Sequence, residues 1–304
     1  MRYEFTFQLK RIAKKQKLPY KRYQIGYNFR DEPIRKGRTR QFIQADADII
    51  GSTIKDEAEN FKLVSEIFKK LNVPVTIYVN NRKLMNEILA DNNVEETYTD
   101  DVIRAIDKLD KQSKKEVADE LKKYDAEKVL DIFLGEESAF EKYSSYKEIQ
   151  ELEKYCRMYG VDVVFRPYLA RGFSYYNGTV FEVASDKLNV SIMGGGSYLI
   201  NGVQSTGISF GIEPIMLLTD ISGDSIEYLI ISLGQDKEAI NIADKLRNKG
   251  NKTQLMVDKT LNKALEYANA KNIQNVVVIG DEEVGSKKYQ VKNMQTGKTS
   301  TLKV

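Results

Sequence analysis

The chain has 304 residues, 41% of them apolar, with 47 basic and 44 acidic side chains and a net charge of +3. That length holds one large domain or two ordinary ones with real cores, and the near balance of charge leaves any nucleic-acid contact to local patches. There is no histidine and one cysteine, Cys156, which excludes histidine-based triads and metal centres, internal disulfides and multi-cysteine metal sites, and fits a reducing cytoplasm.

No window has the length and apolarity of a membrane span, and the N-terminus lacks an apolar signal region. What remains is chemistry done by arginine, lysine, carboxylates and amides, with magnesium on oxygen ligands. Electrostatic stabilisation of phosphate is the natural candidate.

Residues 1–18 open in a strand-like way and continue as a basic amphipathic helix that Pro19 ends before a strand over Tyr20–Tyr27. From Tyr23 to Asp48 the pattern is strand-turn-strand. Arg30, Arg35, Arg38 and Arg40 are interleaved there with Phe29, Phe42 and Ile43, so the cations sit on or beside half-buried strands rather than on a solvated helix face. That placement reads as a site for a phosphate and a polar small molecule.

Residues 54–73 show helical spacing, with Phe61, Val64, Ile67, Phe68 and Leu71 on one stripe, and PVTIYVNN is a strand. Residues 81–155 are helical and heavily charged: a solvated insertion with one apolar stripe, or a surface for an RNA strand. Strand character returns over 161–220, with Gly172, Gly178, Gly194, Gly195, Gly196, Gly207 and Gly211. Glycine at that density among strands implies backbone approaching backbone or ligand. Composition shifts at ISGDS (221–225), and strands and helices then alternate with short connections, a small α/β domain with a modest basic surplus.

YQIGYNFRDEPIRKGRTRQFIQADAD resembles motif 2 of the class II aminoacyl-tRNA synthetases in its histidyl-tRNA synthetase version. LARGFSYYNGTVFEV resembles that family's histidine signature, GGGSY with GISFGIEPI its motif 3 region, and the segment after residue 225 its anticodon-binding domain. The elements occur in the family's order over essentially the whole chain. The resemblance implies an α+β protein: an antiparallel-sheet catalytic domain over 1–222 with a helical insertion at about 82–156, then an α/β anticodon-binding-like domain over 225–304.

It also implies roles. Arg30 and Arg171 are expected at the α-phosphate of ATP, whose pentavalent transition state needs fixed cations. Glu32 and Phe42 are expected at adenine and Arg38 near the β- and γ-phosphates. Histidine is expected among Glu4 and Thr6 (α-amino group), Gln44 (carboxylate), Asp48 (imidazole), Arg171 and one of Tyr175 and Tyr176, which would point to opposite faces if both lay in a strand. Implied partners are L-histidine, ATP with Mg2+, tRNA(His) and a second copy in a homodimer.

The sequence departs from the family pattern at four places. Motif 1, which builds the family's dimer interface, has no counterpart ahead of MRYEFT; Pro214 stands where motif 3 has an arginine; GGGSY lacks the usual arginine; and Ser174 replaces a common aspartate. The expected activity is histidine-tRNA ligase. The alternatives are a synthetase-like regulatory subunit of ATP phosphoribosyltransferase, a paralogue usually without the α/β domain, and a tRNA-binding relic without activation.

Overall fold

The structure, a computed structural model, describes residues 1–171, 175–219 and 225–302, with only the backbone of 189 and 190. Expectations for Gly172 and Ser174, the composition break at 221–224 and the last two residues fall outside that range. The chain divides into two compact units, 1–220 and 221–304.

The first unit begins with α1 (Thr6–Ala13), β1 (Tyr20–Phe29), β2 (Gln41–Ile50), α2 (Ile54–Lys70) and β3 (Thr76–Asn81). Five helices follow: α3 (Arg82–Asp91), α4 (Thr99–Ile106), α5 (Lys114–Leu121), α6 (Val129–Phe133) and α7 (Tyr146–Met158). It ends with β4 (Val164–Phe165), β5 (Tyr176–Ser185), β6 (Leu188–Ile200), β7 (Val203–Gly211) and α8 (Ile212–Met216). The expected strand at the N-terminus is absent. Residues 1–5 are irregular, with the Phe29 N–H donating to the Arg2 carbonyl at 2.8 Å, and the helix already starts at Thr6.

A seven-stranded sheet runs β1-β2-β7-β6-β5-β3-β4, antiparallel except for the β3–β4 pair. Alternation gives it two unlike faces. Val79, Phe181, Val183, Met193 and Ile208 point into an apolar layer with Phe61, Val64 and Phe68 of α2 and Leu152 and Cys156 of α7. Phe61 meets Phe181 edge to face at 4.8 Å. The opposite positions, Gln44, Asp46, Asp48, Glu182, Gly194, Gly207 and Ser209, make a polar face. Helix α2 starts where Thr53 and Asp56 form a reciprocal cap, the Thr53 N–H donating to Asp56 Oδ2 at 2.8 Å.

The inserted helices α3–α7 do more than lay one stripe on the sheet. They enclose a core of their own that includes Leu84, Ile88, Ile103, Ile106, Val117, Leu121, Phe133 and Phe140.

The second unit contains β8 (Tyr228–Ser232), α9 (Asp236–Asn248), β9 (Thr253–Met256), α10 (Leu261–Ala270), β10 (Asn275–Ile279), α11 (Asp281–Ser286), β11 (Gln290–Asn293) and β12 (Thr299–Thr301). Its sheet runs β12-β11-β10-β8-β9, with β10, β8 and β9 parallel as short βαβ crossovers require. Ile230 packs with α9 on one face while Leu229 and Ile231 pack with α10 on the other.

Candidate active site

Strands β1 and β2 pair in register from Tyr20–Ile50 to Phe29–Gln41 and extend into a ribbon whose tip is closed by reciprocal backbone hydrogen bonds between Arg35 and Arg38. Gly37 takes the left-handed conformation there (φ 75°), as the second central residue of a tight turn requires. The ribbon and the polar face of the sheet bound a cleft of about 200 Å³. Ten of the eleven predicted site residues line it: Glu4, Thr6, Arg30, Glu32, Arg38, Phe42, Asp48, Arg171, Tyr175 and Tyr176.

Arg30 is held without a counter-charge. Its guanidinium lies 4.8 Å from the Tyr3 ring centroid and 5.0 Å from that of Phe42, and Nη2 donates to Gln44 Oε1 at 3.2 Å. Among the described residues no carboxylate lies within ion-pairing distance of it. The neighbouring acids pair elsewhere, Glu32 with Arg38 and Asp31 with Arg40, each at 3.4 Å. Arg30 is thus a preorganised cation facing the cleft.

Arg171 comes from the opposite edge of the sheet, after β4. Its Nη1 pairs with Glu182 of β5, and its guanidinium lies over Gly194 of β6. A β-carbon at 194 would stand 2.6 Å from the guanidinium carbon, so glycine makes the berth for the cation. The segment leading to Arg171 is anchored from below. Asn80 of β3, almost fully buried, donates to the carbonyls of Pro167 (2.5 Å) and Leu169 (2.9 Å). Asp107, in the insertion, accepts from the Ala170 N–H at 2.9 Å.

The end of the cleft lined by Glu4 and Tyr175 is acidic and aromatic. Glu4 is buried, which pushes its carboxyl above the ordinary range; Oε2 accepts from the Tyr175 hydroxyl at 3.3 Å, and Oε1 has no hydrogen-bond partner among the described residues. Tyr175 also hydrogen-bonds Thr6. Both tyrosines line the cleft, contrary to the expectation of one in and one out. Tyr175 precedes β5, so strand alternation does not apply to the pair, and their rings lie 4.8 Å apart.

Asp48 is raised by burial but held down by Arg22, whose Nη2 lies 2.8 Å from Oδ2, while the Tyr198 hydroxyl donates to Oδ1. Gln44 is the predicted residue that does not line the cleft. It is buried behind it, accepting from Arg30 and donating through Nε2 to Asp46 Oδ1 at 2.7 Å.

Sequence reasoning missed Asp46, Glu182, Tyr198 and Arg22, as well as the anchors Asn80 and Asp107. Asp46 and Glu182 stood inside the quoted motifs. The alternation of QADAD places Asp46 on the same face as Gln44 and Asp48, which was the available signal. At motif 3, Glu213 Oε1 accepts from the Ile43 N–H at 2.9 Å, and Pro214 packs beneath Gly37 at the ribbon tip.

An antiparallel sheet with arginines brought to its polar face by a strand-turn-strand ribbon and by a loop over glycine-rich strands is the catalytic architecture of a class II aminoacyl-tRNA synthetase. Residues 1–215 match the histidyl-tRNA synthetase family and residues 227–304 the anticodon-binding domain family. A "Histidine--tRNA ligase 1" of Bacillus cereus is 33% identical over 98% of this chain and 79% of its own length. "Histidine--tRNA ligase" of Azobacteroides pseudotrichonymphae is 31% identical over 97% and 74%.

Among solved structures, histidyl-tRNA synthetase from Nostoc sp. PCC 7120 superposes with a TM-score of 0.87 at 23% identity, covering 99% of this chain and 81% of that one. An ATP phosphoribosyltransferase regulatory subunit/histidyl-tRNA synthetase from Bacillus halodurans C gives 0.76 at 20% identity, over 91% and 79%. At these identities the two structures speak to fold. The chain belongs to the histidyl-tRNA synthetase family.

Proposed function

We propose that this chain is a histidine-tRNA ligase that activates histidine with ATP and transfers it to tRNA(His). The observation that carries the reading is the pair of arginines, Arg30 and Arg171, delivered to one cleft from the two ends of the strand order. In the activation step the substrate carboxylate attacks the α-phosphorus, the bond to the bridging oxygen breaks, and pyrophosphate leaves. The nucleophile is already ionised, so no general base is needed, which suits a chain without histidine. The two guanidiniums stabilise the charge that develops on the α-phosphoryl oxygens.

In this reading Glu32 and Phe42 receive adenine, Arg38 the outer phosphates, and Glu4 and Thr6 the α-amino group, with Asp48, Tyr175 and Tyr176 around the side chain and Gln44 supporting from behind. Mg2+ enters with ATP as its counterion; among the described residues no cluster of three or more acidic or cysteine side chains could hold a metal ion. The 1–222 region is the catalytic domain and 225–304 the tRNA-reading domain, the protein acts in the cytoplasm, and the assembly is the family homodimer. Histidine-dependent ATP–pyrophosphate exchange tests the reading, with Arg30→Ala and Arg171→Ala as controls.

A second reading, a histidine-binding regulatory paralogue, is favoured by Pro214, which brings no charge to the outer phosphates, and by the name of the Bacillus halodurans neighbour. It predicts histidine binding without exchange.

A further inference from the structure

The loop that delivers Arg171 is shared between two layers with separate cores. On the sheet side, the Arg166 N–H donates to the Val79 carbonyl of β3 at 2.9 Å, and the Arg166 guanidinium lies 3.3 Å from the Tyr78 ring centroid. On the insertion side, Ala170 is a buried member of the core enclosed by α3–α7, and Phe165 and Tyr168 pack against that core. Phe140 of the insertion meets Phe165 edge to face at 5.2 Å. The residue immediately before Arg171 therefore sits in the insertion's core, not in the sheet's.

One peptide unit is clamped between the two layers. Leu169 and Ala170 share it: its carbonyl accepts from Asn80 of β3 at 2.9 Å, and its N–H donates to Asp107 Oδ1 of the insertion at 2.9 Å. A planar peptide held at both polar ends has its orientation fixed, and the next residue is Arg171. Asp107 is itself well founded. Directly after α4, Asp107–Asp110 form one 3-10 turn, in which side chains three apart stack on the same side. Asp110 accordingly pairs with Arg166 at 3.2 Å, so the turn grips the loop at both ends. Ile103 and Ile106 of α4, buried in the insertion core, set the place of the turn. Beyond the clamped peptide little holds the guanidinium. Among the described residues its hydrogen-bond partner is Glu182, and Nε has none.

We propose that Asp107 is a positioning residue for Arg171, and that the helical insertion thereby takes part in amino-acid activation itself, before any tRNA is bound. The inference rests on the reading of Arg171 as a cation for the α-phosphate.

The test is histidine-dependent ATP–pyrophosphate exchange without tRNA. It compares the parent, Asp107→Ala, Asp107→Asn, Arg171→Ala and the Asp107→Ala, Arg171→Ala double variant at a temperature where each is folded. A guanidinium misplaced by about 1 Å predicts kcat lower by about 10–100-fold in Asp107→Ala, with the histidine and ATP KM within about 3-fold of the parent. Asp107→Asn keeps an acceptor for the Ala170 N–H, so its kcat returns to within about 3-fold of the parent. In the Arg171→Ala background there is no guanidinium to place, and Asp107→Ala lowers kcat by less than about 3-fold further.

Parental kcat in Asp107→Ala, an Asp107→Asn variant no better than Asp107→Ala, or losses that multiply in the double variant overturns the proposal. If Asp107→Ala does not fold, Asp107→Ser, whose hydroxyl stops one bond short of the Oδ1 position, takes its place with the same outcomes. A parent without exchange overturns the ligase reading and this inference with it, whereas an exchange-competent parent with Asp107→Ala at parental kcat overturns the inference alone.

Discussion

Gly194 shows how a residue without a side chain can specify a functional one. Its missing β-carbon is the space Arg171 occupies, 2.6 Å from where that carbon would sit. Gly194→Ala meets the far end of a flexible side chain rather than backbone, so the fold tolerates it while the guanidinium moves. We expect kcat/KM for histidine activation to fall about 100-fold, as for a misplacement of the order of 1 Å, with little change in Tm. A variant with parental kcat/KM would mean that the position of Arg171 over Gly194 is irrelevant to the reaction.

Asp46 gives a pH signature. Burial, reinforced by the neighbouring Asp48 and opposed by hydrogen bonds from Ser209 and Gln44 and by the Arg22 charge, pushes its carboxyl up to about 7. The folded state therefore holds a proton that the unfolded chain has released, and stability from this group declines as pH rises from about 4 to about 7 and is flat above. Thermal melts of the parent relative to Asp46→Asn should show the parent losing ground over that window. A pH-independent difference between the two would contradict it.

The residue-level expectations the sequence carried best were those set by position in the motif 2 pattern. Arg30, Phe42 and Asp48 could be assigned from that pattern to the cleft they line. The direction of Tyr175 could not be read, because it lies just outside β5 where alternation stops. Arg22 was invisible because its partner, Asp48, is brought to it only by the pairing of two strands.

At the scale of elements, the site depends on one segment with little regular structure, residues 166–171. Two elements distant in sequence hold it: β3 through Asn80, and the insertion through Asp107, where burial leads the causes that push the carboxyl up to about 6. Arg166 adds an ion pair with Asp110 at 3.2 Å. The insertion is therefore tied to the loop that delivers Arg171.

Removing the Asn80 amide leaves two carbonyls without their donor at once. Asn80→Ala should cost about 1–3 kcal/mol in denaturant unfolding and lower kcat more than it raises the ATP KM. An unfolding midpoint equal to the parent's would show that the loop is held by other contacts. None of this was legible in the sequence. An asparagine at the end of an apolar strand reads as a turn signal, and its carbonyl partners lie 87 and 89 residues away. Helix periodicity and the α2 stripe were legible, because Phe61, Val64 and Phe68 recur on one face regardless of what covers them. The separate core of α3–α7 was not, since it forms between short helices whose individual stripes are weak.

For the whole molecule, the order of motifs carried the family and the class of fold, and the two compact units follow the change from glycine-rich antiparallel strands to strand-helix alternation. Pro214 is where ancestry and present chemistry part. In place of a motif 3 cation, the proline packs under Gly37 and so braces the ribbon that carries Arg38. On the proposed reading, catalysis depends on Arg30, Arg38 and Arg171, with no cation from motif 3. Histidine-dependent ATP–pyrophosphate exchange addresses that dependence directly. The account predicts exchange by the parent protein that falls by about 100-fold or more in Arg30→Ala and in Arg171→Ala. Histidine binding without exchange in the parent would contradict it and favour the regulatory reading.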